Sequence, residues 1–214
     1  MACMQLSRLI ERGIQTDDCK REWRKRWAAD WPQEGRRWLV RILAIDHGTK
    51  LVGWSVWDGT QFESYGIHRM ESTYPSTLVE LSLETDRLID LADADAVALE
   101  RPMSLRGGDV AQKLIEHYTV CKLSAITANK RIIEVAPPTI KLIVAGAGNA
   151  DKQTVADSLC IKWGLDLEEL CPAERYKAGS KKGTIKLRLY DSSDACALAI
   201  AADEMNRREL RASG

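Results

Sequence analysis

The chain has 214 residues, 45% of them hydrophobic and 6% aromatic, with 31 Lys and Arg balanced by 31 Asp and Glu. This is the composition of an ordinary globular protein, which excludes disorder, collagen and membrane spans, and zero net charge argues against a surface that coats nucleic acid throughout. The length suits one domain with a sizeable extension and leaves no room for a large two-lobed ATPase. Cys3, Cys19, Cys121, Cys160, Cys171 and Cys196 are scattered without a CxxC pair, and no signal-like apolar stretch leads the chain. Reduced thiols in an intracellular compartment are expected, with no membrane partner.

Residues 1–38 stand apart, with nine Lys and Arg, six Asp and Glu, and four of the seven tryptophans. Trp23, Trp27 and Trp31 recur every four residues and would share one helical face, beside Lys20, Arg21, Arg24, Lys25 and Arg26. Pro32 and Gly35 end that helix. The segment reads as a helix that docks its tryptophans on the body or as a DNA-contacting arm, and the two readings are compatible. Residues 39–209 are the body and 210–214 a tail.

Residues 39–45 are apolar nearly throughout and end at Asp46, as a strand buried on both faces requires. A turn follows at His47-Gly48-Thr49. Residues 51–56 and 62–68 flank Asp58-Gly59, a hairpin signal, so three strands form an antiparallel meander. Residues 76–91 are helical, with Leu78, Leu81, Leu88 and Leu91 in the apolar stripe. A short apolar strand at 96–99 ends at Glu100 before Pro102, and Gly107-Gly108 opens a helix to about residue 129. Residues 131–135 form a fifth strand, and 137–145 and 151–163 are helices separated by Gly146, Gly148 and Asn149. Residues 165–190 read as loop, and 192–209 as an alanine-rich last helix. Together these describe a mixed α/β sheet whose fourth strand returns parallel to the first by a right-handed crossover.

Asp46 and Glu100 both stand at carboxyl ends of apolar strands, so neighbouring strands would hold them roughly 5 Å apart. Carboxylates that close repel each other unless a cation lies between them. Asp191 and Asp194, three residues apart at the start of the last helix, project from one face and are favoured by its positive end. Ala195, Ala197, Ala199, Ala201 and Ala202 are small enough to let that helix approach the sheet. Oxygen-only ligands suit Mg²⁺ or Mn²⁺, and two such ions about 3.5–4 Å apart can hold the attacking and leaving oxygens of a phosphodiester displacement. Each acid alone has a plainer reading, as a turn residue, a strand-end ion pair or a helix cap. The ordered set says more than its parts.

The segments Ile42-Leu43-Ala44-Ile45-Asp46-His47-Gly48-Thr49, Ala98-Leu99-Glu100, Gly146-Ala147-Gly148-Asn149-Ala150-Asp151-Lys152 and Asp191-Ser192-Ser193-Asp194-Ala195-Cys196-Ala197-Leu198-Ala199-Ile200-Ala201 resemble, in order and spacing, the RuvC family of Holliday-junction resolvases. The resemblance implies a ribonuclease H-like fold with a five-stranded mixed sheet in the order 3-2-1-4-5, flanked by helices. It also implies a homodimer that binds four-way DNA junctions and makes paired, symmetry-related nicks with two Mg²⁺ per active site, Mn²⁺ substituting. By position, Asp46, Glu100, Asp191 and Asp194 would be the metal ligands, and Lys152 a basic residue beside the scissile phosphate.

Met103 stands where members of that family often carry an aromatic side chain to stack on junction bases, and offers an apolar wedge instead. The link before the last acids is longer than usual for the family. Between Arg175 and Tyr190 it carries Arg175, Lys177, Lys181, Lys182, Lys186 and Arg188 and no acid, so it is either a solvated loop or a phosphate-holding one. Arg106 and Lys113 are candidates for DNA backbone contacts. Lys152 opens a helix beside a Gly-x-Gly turn, where cation and backbone N–H groups can meet an anion. His47 either touches a phosphate or water or is simply a turn residue; His68 and His117 read as structural. Val110, Leu114, Ile115, Tyr118 and Cys121 line a helix side that is core or dimer seam. Rival functions are a YqgF-like nuclease acting on RNA, an actin/sugar-kinase-like phosphate-binding protein suggested by Asp46-x-Gly48-Thr49, and a module that binds junctions without cutting them.

Overall fold

The computed structural model describes residues 40–102, 108–178 and 180–212. The extension of residues 1–38 and the candidate DNA contacts Met103 and Arg106 lie outside them. Five strands, β1 Ile42–His47, β2 Leu51–Trp57, β3 Phe62–Arg69, β4 Ala96–Glu100 and β5 Arg131–Val135, form one sheet in the order β3-β2-β1-β4-β5. The first three pair antiparallel, and β4 and β5 run parallel to β1, the ribonuclease H-like arrangement expected. The β2–β3 turn follows from Asp58-Gly59: Gly59 takes φ 91°, and Asp58 Oδ1 accepts the backbone N–H groups of Thr60 and Gln61, each at 2.7 Å.

The helices are α1 Ser76–Ala92, α2 Asp109–Thr127, α3 Pro137–Ala145, α4 Lys152–Trp163, the short α5 Leu167–Leu170 and α6 Asp191–Ala212. Strand alternation divides the interior between them. Ile42, Ala44, Trp57, Ala96 and Ala98 face α3, α4 and α6, whereas Leu43, Ile45, Val97 and Leu99 face α1 and α2. Burying each large aliphatic side chain contributes about 1.5–3 kcal/mol, so these two clusters dominate stability. From Ala195 to Ala202 every residue of α6 is buried, and Ser55 Oγ donates to the Ala195 carbonyl at 3.0 Å. Farther along α6, fully buried Trp57 donates its Nε1–H to Asp203 at 3.0 Å, and Arg207 pairs with the same carboxylate at 2.8 Å.

Residues 165–190 are not simply loop. They contain α5 and an antiparallel hairpin of β6 Ala173–Arg175 and β7 Ile185–Arg188. Strands this short give too few alternations to register as a pattern. The hairpin is tied down at its base, where Arg69 at the end of β3 pairs with Glu174 at 3.1 Å. Arg188 donates to the Cys171 carbonyl at 3.1 Å and to Glu168 at 2.6 Å. Helix α6 begins at Asp191 and continues to Ala212, through the first residues read as tail. Leu91 is 68% exposed, and Ile89 takes its expected place in the apolar stripe. Among the described residues Cys121, Cys171 and Cys196 are free thiols, and no helix is long and apolar enough to cross a membrane.

Candidate active site

The same alternation that buries Ile42 and Ala44 turns Asp46 toward α6, and the one that buries Ala96 and Ala98 turns Glu100 the same way. Parallel pairing ends at Ile45 opposite Leu99, so Asp46 and Glu100 follow side by side at the carboxyl edge of the sheet. Helix α6 brings Asp191 and Asp194 to this edge in its first turn, where the helix dipole favours negative charge. A side chain at position 53 would prevent this, because a Cβ on Gly53 would lie 1.9 Å from the Asp191 carbonyl oxygen. The glycine lets the helix start directly against β2.

The result is a crowd of like charges. Burial and the nearby carboxylates of Asp194, Glu100 and Asp191 hold the Asp46 pKa well above its ordinary 3.8, while Lys152 works against them. Burial, then Asp194, raises the Glu100 pKa, and Lys152 and Lys141 lower it. Asp194 is also raised, chiefly by burial, with Asp191 adding to the effect and Lys152 opposing it. Desolvation opposes the Lys152 ammonium, but Asp194, Asp46 and Asp191 outweigh it and hold the lysine pKa above normal. Lys152 Nζ donates to Asp194 Oδ2. Its helix α4 is started by Asp151, whose side chain accepts the Thr154 N–H at 2.8 Å.

The five residues expected to form the site, Asp46, Glu100, Asp191, Asp194 and Lys152, are therefore electrostatic neighbours. As their side chains stand, no three His, Cys, Asp or Glu groups among the described residues are close enough together to hold a metal ion. Asp194 is instead engaged by Lys152. The donor set nonetheless fits a hard divalent cation: it is all oxygen, and its crowded negative charge is what such an ion relieves.

Lys141 of α3 is a member of this site that the sequence patterns did not reveal; it acts on Glu100, Asp194 and Asp151. It lies eleven residues before Lys152, within an otherwise uncharged helix, and that isolated charge was the available signal. Lys113 sits over the Tyr74 ring, 4.8 Å from its centroid. Lys177, Lys181, Lys182 and Lys186 are exposed along the β6–β7 hairpin. Arg188 differs from that set: its side chain is only 17% exposed and its guanidinium is committed to Glu168 and the Cys171 carbonyl, so it anchors the hairpin. His47 is buried and turned to the α1–α2 side, away from the acids' face.

The family model for crossover junction endodeoxyribonuclease RuvC matches residues 42–170. Among curated relatives, the protein of that description from Alkaliphilus metalliredigens is 30% identical over 131 residues, 58% of this chain and 80% of its own. The one from Dehalococcoides mccartyi is 28% identical over 137 residues, 61% of this chain and 81% of its own. Among solved structures, Thermus thermophilus RuvC in complex with a Holliday junction substrate superposes with a TM-score of 0.61 at 18% identity, covering 79% of this chain and 96% of that one. A yeast mitochondrial Holliday junction resolvase gives a TM-score of 0.54 at 13% identity, covering 81% of each. At these identities the structural matches show the shared fold.

Crowding of this kind has a measurable sign. A carboxylate with a raised folded pKa holds its proton more tightly in the folded state, so metal-free stability falls as pH rises from the ordinary value of 3.8 through the raised one. Asp46→Asn escapes this loss. In EDTA at pH 7 the variant is expected to melt a few degrees above wild type, at about 2–4 °C per kcal/mol for a chain of this size. The gap should close near about pH 3.5, where carboxylates are protonated even unfolded. Mg²⁺ should raise the wild-type Tm and reverse the order. Thermal melts in EDTA at both pH values decide it, and a variant melting below wild type at pH 7 contradicts the crowding.

Proposed function

The chain belongs to the crossover junction endodeoxyribonuclease RuvC family, whose model spans residues 42–170 of its 214, and from that membership we propose that it is a divalent-metal-dependent nuclease resolving four-way DNA junctions by paired symmetric nicks. The observation that carries this reading is the gathering of Asp46, Glu100, Asp191 and Asp194 on one edge of the sheet, two of them contributed by a helix beyond the residues the family model matches. These four carboxylates would hold the cations, two per active site, with Mg²⁺ the natural occupant and Mn²⁺ a substitute. When bound, such ions supply Lewis-acid polarisation of the phosphodiester and make an attacking water more acidic.

The chain's own groups do the rest. Lys152, kept protonated by the surrounding acids, supplies a positive charge for a phosphate oxygen, and Lys141 adds a second from α3. The hairpin lysines Lys177, Lys181, Lys182 and Lys186 are exposed on the segment that precedes α6 in the chain, suited to the backbone of a duplex arm, where each ion pair with a phosphate adds affinity but no sequence preference. Lys113 of α2 is a further candidate DNA contact, as are Met103 and Arg106 on the sequence alone. The outer side of α1 and α2 exposes Val79 (64%), Leu83 (66%), Val110 (67%), Leu123 (55%) and Ile126 (56%). An apolar row of that length suits a second copy of the chain, which provides two active sites for two nicks.

Incubating the purified protein with a synthetic mobile four-way junction in Mg²⁺, Mn²⁺ or EDTA tests this reading. Symmetric nicks in the metal-containing samples only, with linear duplex and RNA left intact, are expected; cleavage of RNA in preference to the junction overturns it. Asp194→Asn should lose on the order of 10³-fold in cleavage rate, equivalent to about 4 kcal/mol, yet bind the junction like wild type. A variant that cuts at the wild-type rate removes Asp194 from the mechanism. Replacing Lys177, Lys181, Lys182 and Lys186 by Ala should reduce the slope of log K against log salt by about 0.9 for each phosphate that the hairpin no longer neutralises. An unchanged slope means that the hairpin faces solvent only.

A further inference from the structure

On the face of the sheet opposite the acids, two buried histidines meet the same strand ends. His47 is 7% exposed, and its Nε2 lies 3.2 Å from the Glu100 carbonyl oxygen. A carbonyl only accepts, so Nε2 carries the proton. This bond joins β1 to β4 just past Ile45 and Leu99, where their pairing ends, and thus at the level of Asp46 and Glu100. His117 of α2, 1% exposed, places Nδ1 3.1 Å from the Gly48 carbonyl oxygen. Its Nδ1 therefore carries the proton, and its Nε2 faces the Thr77 hydroxyl on α1 at 3.4 Å. The turn it grips borders the site, since a Cβ on Gly48 would lie 3.8 Å from Asp191 Oδ1. Tyr118 packs edge-on against His47 at 5.5 Å, so adjacent residues of α2 serve both contacts.

We propose that His47 and His117 are positioning residues for the acid cluster: two imidazoles that donate from opposite ring nitrogens, Nε2 of His47 and Nδ1 of His117, bracing the Glu100 and Gly48 carbonyls so that the carboxylates of β1 and β4 keep a fixed separation. This rests on the nuclease reading above. The two rings touch backbone rather than substrate, and they tie the site to the α1–α2 layer through Thr77 and Tyr118. A packing role would demand only volume and burial. A bracing role demands a donor at one particular ring position.

Amide side chains separate these roles, because the Asn nitrogen falls where His Nδ1 lies and the Gln nitrogen where Nε2 lies. His47→Gln and His117→Asn keep the donor in place; His47→Asn and His117→Gln are equally polar but misplace it. Mn²⁺ binding to the DNA-free protein, read by EPR of the free ion, should stay within about threefold of wild type for the matched pair and weaken about 10–100-fold for the mismatched pair, the usual effect of losing a group that orients metal ligands. Long-range ¹⁵N NMR of wild type, which needs no variant to fold, should report His47 protonated on Nε2 and His117 on Nδ1. Matched and mismatched variants of equal Mn²⁺ affinity, or both rings in one tautomer, overturn the brace alone. A wild-type protein that binds no Mn²⁺ overturns the nuclease reading and the brace with it.

Discussion

Four carboxylates held at one edge of a sheet are mutually repulsive, and the rest of the structure can be understood as what keeps them there. Two belong to neighbouring strands and two to the first turn of α6. Neither pair can retreat, because Ile42 to Ile45, Ala96 to Leu99 and Ala195 to Ala202 are all buried, in the two clusters that cover the faces of the sheet. Burial of those apolar side chains opposes the mutual repulsion of the acids and holds them together at the edge. Lys152 and Lys141 offset part of that cost, as does the positive end of the helix.

Such an arrangement is chemically directed. A site with surplus negative charge, oxygen donors only and a lysine at its margin has its strongest complement in a hard divalent cation together with a phosphate. The scaffold contributes what a flexible chain lacks, namely carboxylates whose backbones cannot drift apart. The glycine at position 53 is part of this rigidity, since without it α6 would start farther from β2 and its acids would leave the edge. The Lys152–Asp194 pair shows the same charge balance from the other side: with protein groups alone, the lysine is the cation that Asp194 finds.

Much of this was legible in the sequence because the core of the fold is written in strong patterns. The uninterrupted apolar run before Asp46, the Asp58-Gly59 turn and the alanines of the last helix each correspond to one dominant physical requirement, and their strands and helices lie within a few residues of where those patterns put them. The order of three acid-bearing segments likewise pointed to the edge where Asp46, Glu100, Asp191 and Asp194 are neighbours. What escaped was set by tertiary structure. Lys141 reaches the acids only because α3 packs beside α6, Gly53 matters only because Asp191 lies against it, and the roles of His47 and His117 depend on carbonyls 53 and 69 residues away in sequence. The β6–β7 hairpin escaped for another reason: its strands are too short for alternation to be seen, and its place is fixed by Arg69 and Arg188, whose ion pairs have no local signature.

The chemistry proposed for this edge requires it to be a divalent-cation site rather than an incidental crowd of acids. Crystals of the protein equilibrated with Mn²⁺ and measured at the manganese absorption edge test it most directly. Anomalous density is expected among the side chains of Asp46, Glu100, Asp191 and Asp194, with Asp194 released from Lys152. Density confined to other parts of the molecule, with the Asp194–Lys152 pair intact, would contradict it.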